Sequence, residues 1–249
     1  MNNKALVIIP ARYGSTRFPG KPLAVLHSKP LIQWTYDAVK KSTLVNRVVV
    51  ATDDINIYNA VSGFGGSVVM TSSKPRTGSD RCAEVAEKSE EDIIINLQAD
   101  EILKGPEMID DLINMFIEDT TIKMGTFKIE ITDSEELKNK NVVKVVTDIN
   151  DFALYFSRSP IPYIRDMVSD ANSPIPSKTF YKHLGIYAYR KDFLLRFCTL
   201  PTTMLENLEK LEQLRAIEHG YSIKVRETGY ESYRVDTPED LKQIESKVI

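Results

Sequence analysis

Short unbroken apolar runs alternate with stretches of helical spacing through the first half of the chain. Ala5-Leu6-Val7-Ile8-Ile9, Arg47 to Thr52, Ser67 to Met70 and Asp92 to Gln98 read as strands, most of them apolar enough to be buried on both faces of a parallel sheet. Pro10 ends the ladder of the first. Leu31 to Lys41 carries Leu31, Ile32, Trp34, Thr35, Ala38 and Val39 at the spacing of an amphipathic helix, with Trp34 in the core. Asp54 fits the N-cap of a helix over Ile55 to Phe64, and two more helices are expected from about Asp80 to Lys88 and over Pro106 to Glu118, the latter opened by Pro106. Strand alternating with helix in this way predicts an α/β fold built on a doubly wound, mostly parallel sheet.

From Lys123 the pattern changes. Met124 to Ile131, Val142 to Thr147 and Ala153 to Phe156 read as successive strands with less helix between them, which predicts a smaller mixed α/β lobe. Asp166 to Lys178 has the composition of a mobile loop. Met204 to His219 reads as one helix, with Leu205, Leu208, Leu211 and Leu214 forming a core or subunit face and most of the acids beside them solvated. Asp236 fits a cap on a last helix that starts near Pro238. The expected organisation is one continuous domain, with about 1–122 and 222–249 as its core and about 123–221 as the lobe.

Composition narrows the function. The formal charge of -3 over 249 residues argues against a nucleic-acid binder, which usually shows a basic excess or a clustered basic face. Cys82 and Cys198 are the only cysteines, too few for a disulfide framework and without metal-ligand spacing, so reduced thiols in the cytoplasm are expected. Met1 to Lys4 leads straight into the first strand, leaving no room for a signal peptide, and no apolar run approaches the ~20 residues of a membrane span.

The local cations carry the chemistry. Ile9-Pro10-Ala11-Arg12-Tyr13-Gly14-Ser15-Thr16-Arg17-Phe18-Pro19-Gly20-Lys21-Pro22 follows the first strand and interleaves Arg12, Arg17 and Lys21 with Gly14, Ser15 and Gly20. Glycines let a backbone approach a ligand and expose its N–H groups, while Arg and Lys supply charge, so the loop suits a nucleoside triphosphate. It is not a Walker A loop, because Gly14 and Gly20 are separated by five residues and Lys21 precedes proline; Gly63, Gly65 and Gly66 do not complete a Rossmann fingerprint either. Gln98, Asp100 and Glu101 emerge where the Asp92 to Gln98 strand stops. Asp100 is then either part of an exposed acidic turn or a Mg²⁺ ligand opposite the phosphate loop, since Mg²⁺ takes one or two carboxylates plus phosphate oxygens. Arg81 alone reads as a surface cation, and His183 as a structural residue entering a strand.

IPARYGSTRFPGKPL resembles the signature of the sugar-acid cytidylyltransferases, in particular the CMP-Kdo synthetase (3-deoxy-manno-octulosonate cytidylyltransferase) family. The likeness recurs at Val50 to Asp54, Gly78-Ser79-Asp80-Arg81, Ala153 to Arg158, Lys182 to Tyr187, Leu211 to Arg215 and Val235 to Asp240. It implies a sheet of nucleotide-diphospho-sugar transferase type with a sugar-binding and dimerisation lobe, and a homodimer. It also implies CMP transfer from CTP to 3-deoxy-D-manno-octulosonate (Kdo), with pyrophosphate released, for lipopolysaccharide or capsule assembly. By that resemblance Arg12, Gly14, Ser15, Arg17, Lys21, Gly78, Ser79 and Asp100 face CTP, and Arg81, Gln98, Arg158, His183, Tyr187 and Glu212 face the sugar acid. Lys21, Asp100 and Asp236 are the catalytic set, with Mg²⁺ on the two aspartates. The chain departs from the family at Gln98-Ala99-Asp100-Glu101-Ile102, where Gln-Gly-Asp-Glu-Pro is usual. That departure keeps open a related sugar acid such as 8-amino-Kdo and a non-catalytic nucleotide-binding relative; a glycosyltransferase can share this kind of sheet and is the remaining alternative, against which stands the lack of Asp-x-Asp at a strand end.

Overall fold

A computed structural model describes residues 3–14, 18–165, 175–230 and 232–245. The chain divides into two compact units, 1–120 with 186–198 and 230–249, and 121–185 with 199–229. Residues 186–198, placed in the smaller lobe by the sequence pattern, belong with the first unit. They complete the strand Tyr181–Arg190 and form the helix Lys191–Thr199.

The first unit is built on Ala5–Ala11, with every residue buried. Because successive side chains alternate between faces, a wholly buried strand has cover on both sides of its sheet. It pairs in parallel with Val45–Thr52 on one side and with Ile93–Asn96 on the other. Val68–Met70 lies parallel beyond Val45–Thr52, and Tyr187 to Arg190 runs antiparallel to Ile93–Asn96. The chain therefore proceeds outward through three strands and returns to the opposite side of the first. That reversal falls between Ala5–Ala11 and Ile93–Asn96, and it opens a crevice beyond their carboxyl ends.

Local chemistry sets the helices. Asp54 accepts hydrogen bonds from the backbone N–H groups of Asn56 and Ile57 and caps Ile55–Gly63, as its position predicts. The next helix is Gly78–Ala86, two residues earlier than expected, because Thr77 and Asp80 form a reciprocal capping box. Pro106 is the N-cap of Glu107–Glu118 rather than part of its first turn. Trp34 is half-buried against a cluster of Leu26, Leu31, Ile102, Val235 and Ile244, and its indole N–H donates to the Leu26 carbonyl at 2.9 Å.

In the second unit Met124–Glu130 runs parallel to Lys224–Glu227, and Lys144–Thr147 is antiparallel to Ala153–Ser157. The segment read as one helix from Met204 to His219 is two, Met204–Glu209 and Leu214–Glu218, separated at Lys210, whose φ of 54° is left-handed. The break lets Arg215 reach back to Glu206, so Glu206, expected among solvated acids, is buried. Leu211 and Leu214 are buried, whereas Leu208 is exposed. Residues 166–174 of the expected mobile loop lie outside the described residues.

Candidate active site

The crevice at the strand reversal holds two adjoining cavities, of about 190 and 110 Å³. Pro10, Ala11, Arg12 and Gln98 line both, so the ends of the first and fourth parallel strands form a shared wall. Lys21, Ala99, Asp100, Arg234 and Asp236 complete the larger cavity, and Pro75 to Gly78 with Arg81 complete the smaller.

Asp100 and Asp236 converge on one ammonium group. Lys21 Nζ donates to Asp100 Oδ2 and, at 3.3 Å, to Asp236 Oδ1. These residues lie far apart in sequence, and a two-strand pairing absent from the sequence reading joins them. Glu101–Leu103 pairs antiparallel with Ser232–Arg234, and Val235 N donates to the Asp100 carbonyl at 3.1 Å. Tyr233 and Val235 pack into the cluster around Leu26, so the intervening Arg234 and Asp236 point to the other face, where Asp100 stands. Asp236 does not cap the last helix. The Thr237 hydroxyl accepts from Asp240 N, while Asp240 Oδ2 accepts from Asp236 N and Thr237 N, which leaves the Asp236 carboxylate to the cavity.

Asp100 and Glu101 are buried, not an exposed acidic turn. Burial pushes the Glu101 carboxyl up to about 6; Asp100 and Asp236 add to that rise, while the Ser232 hydroxyl and Arg234 oppose it. A raised folded-state pKa means that the stability linked to Glu101 is present below pH 4.5 and is lost as pH rises through about 6.

Gly20 adopts φ +70°, with the Tyr13 ring 3.2 Å from where a Cβ would stand, so any other residue there would be strained and would push the Tyr13 ring aside. A Cβ on Gly78 would lie 3.1 Å from Gln98 Nε2 and 3.3 Å from Pro10, so a larger residue would force Gln98 to shift for the helix start to keep its close approach to the wall. Gln98 donates to Asn96 Oδ1 at 3.0 Å and Asn96 donates to Ser79 Oγ at 3.3 Å. Ser79 is thus a buried support behind Gln98. Arg81, although it lines the smaller cavity, is held by Asp53, the Thr71 hydroxyl and the Ser72 carbonyl. Gly14 is exposed, and Ser15 and Arg17 lie outside the described residues.

The other residues assigned to the sugar acid are divided between the units. Tyr187 belongs to the first; Arg158, His183 and Glu212 belong to the second. Arg158 Nε donates to the Glu209 carbonyl at 2.8 Å and Nη1 to the Lys140 carbonyl at 2.9 Å. His183 Nε2 is 3.1 Å from Thr126 Oγ1, with the Phe156 ring edge-on at 5.0 Å. Glu212 lies 3.6 Å from Arg215. Sequence reasoning missed Arg234, whose Nε is 3.3 Å from Asp236 Oδ2 and 4.0 Å from Asp100 Oδ2. Alternation of Tyr233 and Val235 with Arg234 and Asp236 was the available signal.

A mainly parallel α/β sheet with paired carboxylates and cations at its strand reversal defines a protein of the nucleotidyltransferase class. Residues 6–227 match the cytidylyltransferase family, and this chain belongs to it. It is 51% identical over 240 residues to the 3-deoxy-manno-octulosonate cytidylyltransferase of Syntrophotalea carbinolica, covering 96% of each chain. It is 50% identical over 248 residues to the enzyme of the same name from Geobacter sulfurreducens, covering 97% of this chain and 98% of that one. Among solved structures, a CMP:2-keto-3-deoxy-manno-octonic acid synthetase complexed with CTP superposes with a TM-score of 0.89 at 40% identity, covering 98% of both chains.

Proposed function

We infer that this chain transfers CMP from CTP to the anomeric hydroxyl of Kdo, giving CMP-Kdo and pyrophosphate. The single observation that carries the reading is the convergence of Asp100 and Asp236 on Lys21 at the strand reversal, in a chain 40% identical to a synthetase complexed with CTP. Two carboxylates already gathered around a cation fit Mg²⁺, which takes such a pair together with phosphate oxygens. Asp100 and Asp236 would hold it, and the ion would supply charge neutralisation at the reacting phosphate. Lys21 and Arg12 neutralise the triphosphate, and Arg17 is assigned the same task by its motif. The close approach at Gly78 shapes the adjoining cavity on the CTP side, and Gln98, fixed by Asn96, keeps the role toward the sugar acid that its motif assigns. No residue needs to form a covalent intermediate, so catalysis rests on alignment and charge.

The motifs assign Arg158, His183, Tyr187 and Glu212 to the sugar acid. Lys21→Ala is expected to raise KM for CTP about tenfold or more with little change in KM for Kdo, and Arg158→Ala the reverse, with a lower thermal midpoint from its lost carbonyl contacts. Titration of each substrate against both variants checks this; equal damage to both substrates in both variants would contradict the division.

Ala99 marks where the substrate preference is set. Its φ is not positive, unlike those of His27, Ser28, Asp151, Lys178 and Lys210, so the methyl group carries no left-handed strain. Thr35 Oγ1 donates to the Glu101 carbonyl at 3.1 Å and lies 3.4 Å from the Ala99 carbonyl, so one buried hydroxyl sits against the residues on either side of Asp100, and Ile102 fills the apolar cluster. Ala99→Gly is therefore expected to shift the ratio of kcat/KM between Kdo and an analogue such as 8-amino-Kdo by a few-fold, with metal dependence unchanged. A uniform rise for every sugar acid would instead mean that Ala99 impairs the site.

No helix among the described residues is long and apolar enough to cross a membrane. We place the enzyme in the cytoplasm, as a homodimer acting in lipopolysaccharide assembly; sedimentation of the purified chain tests the dimer.

A further inference from the structure

We propose that Arg234 is a resident counter-cation that makes metal binding at Asp100 and Asp236 depend on the nucleotide. The proposal rests on the Mg²⁺–CTP reading above and adds a residue which that reading does not use. Arg234 ends the strand Ser232–Arg234, whose pairing with Glu101–Leu103 sets it directly opposite Glu101. Its Nε contacts Asp236 Oδ2 at 3.3 Å and approaches Asp100 Oδ2 at 4.0 Å. Lys21 takes Asp236 Oδ1 and shares Asp100 Oδ2. Both oxygens of Asp236 and Oδ2 of Asp100 are therefore already engaged by two cations, and the two carboxylates are neutralised by two side chains.

A divalent ion arriving alone must displace those cations from both carboxylates, and among the described residues that line the cavity there is no third acid to receive them, the neighbouring Glu101 being engaged by the Ser232 hydroxyl. A triphosphate changes the balance, because its oxygens accept guanidinium and ammonium donors as the carboxylates are released. The Arg234 side chain is more exposed than that of Lys21, 54% against 14%, so Arg234 is the less confined of the two cations when a phosphate arrives. Metal and nucleotide then reinforce one another. By linkage, whatever factor CTP adds to metal affinity the metal adds to CTP affinity.

The test is Mn²⁺ binding, followed through the EPR signal of the free ion, to the full chain with and without CTP and in the absence of sugar acid. The chains compared are wild type, Arg234→Gln, Arg234→Met and Arg234→Lys. Two neutral variants are used so that poor folding of either leaves the other to report. The expected result is that the neutral variants bind Mn²⁺ without nucleotide about tenfold more tightly than wild type, that CTP then enhances Mn²⁺ affinity correspondingly less, and that Arg234→Lys stays near wild type. Neutral variants that bind nucleotide-free Mn²⁺ no more tightly than wild type, with the CTP enhancement unchanged, would overturn the role of Arg234 while leaving the metal site standing. Absence of Mn²⁺ binding in every chain, with CTP or without, would overturn the metal reading and this proposal together.

Discussion

Asp100→Asn is expected to lower turnover with CTP and Kdo by about 10³-fold at saturating Mg²⁺, equivalent to roughly 4 kcal/mol of transition-state stabilisation. The substitution keeps shape and removes charge. Asp100 is buried, precedes Glu101, whose carbonyl accepts from the Thr35 hydroxyl, and shares the Lys21 ammonium with Asp236. Its loss leaves one carboxylate for the metal and frees Lys21 from half of its neutralising contacts. Steady-state kinetics with circular dichroism as a folding control measures the effect. Turnover within about threefold of wild type would remove Asp100 from the mechanism.

The largest stability effect is expected in the second unit, at Arg215→Ala. Arg215 Nε donates to Glu206 Oε2 at 2.9 Å and Nη2 donates to Oε1, a two-pronged pair in which both residues are buried. Removing the guanidinium strands a carboxylate away from water, which costs about 3–5 kcal/mol. Urea unfolding should show this as a fall in the midpoint at nearly constant slope. Arg215→Met combined with Glu206→Gln should recover most of the loss, because it removes both charges together. A single-variant cost below about 1 kcal/mol would show that water still reaches Glu206.

The first unit was largely legible because its signals are local. Unbroken apolar runs marked the parallel strands, and Asp54 announced its helix by spacing alone. What escaped depends on partners distant in sequence. Glu101–Leu103 is three residues long and reads as a strand only beside Ser232–Arg234, so the role of Arg234 was hidden although Asp100 and Asp236 were recognised separately. The break at Lys210 was equally opaque. Leucines three apart from Leu205 to Leu214 satisfy a helical pattern through the break, and it is the burial of Glu206 with Arg215 that favours two short helices. Arg81 alone read as a surface cation but is buried, because its neighbours Asp53 and Thr71 come together only at the ends of two strands.

The central claim is transfer of the CMP moiety to a sugar acid, and ³¹P NMR of the purified chain with CTP, Mg²⁺ and Kdo tests it most directly. The account predicts that the three CTP resonances give way to one CMP-ester resonance and an equimolar amount of pyrophosphate, with neither appearing when Kdo is left out. CTP that stays intact with Kdo and with related sugar acids, or that breaks down at the same rate without any sugar acid, would contradict it.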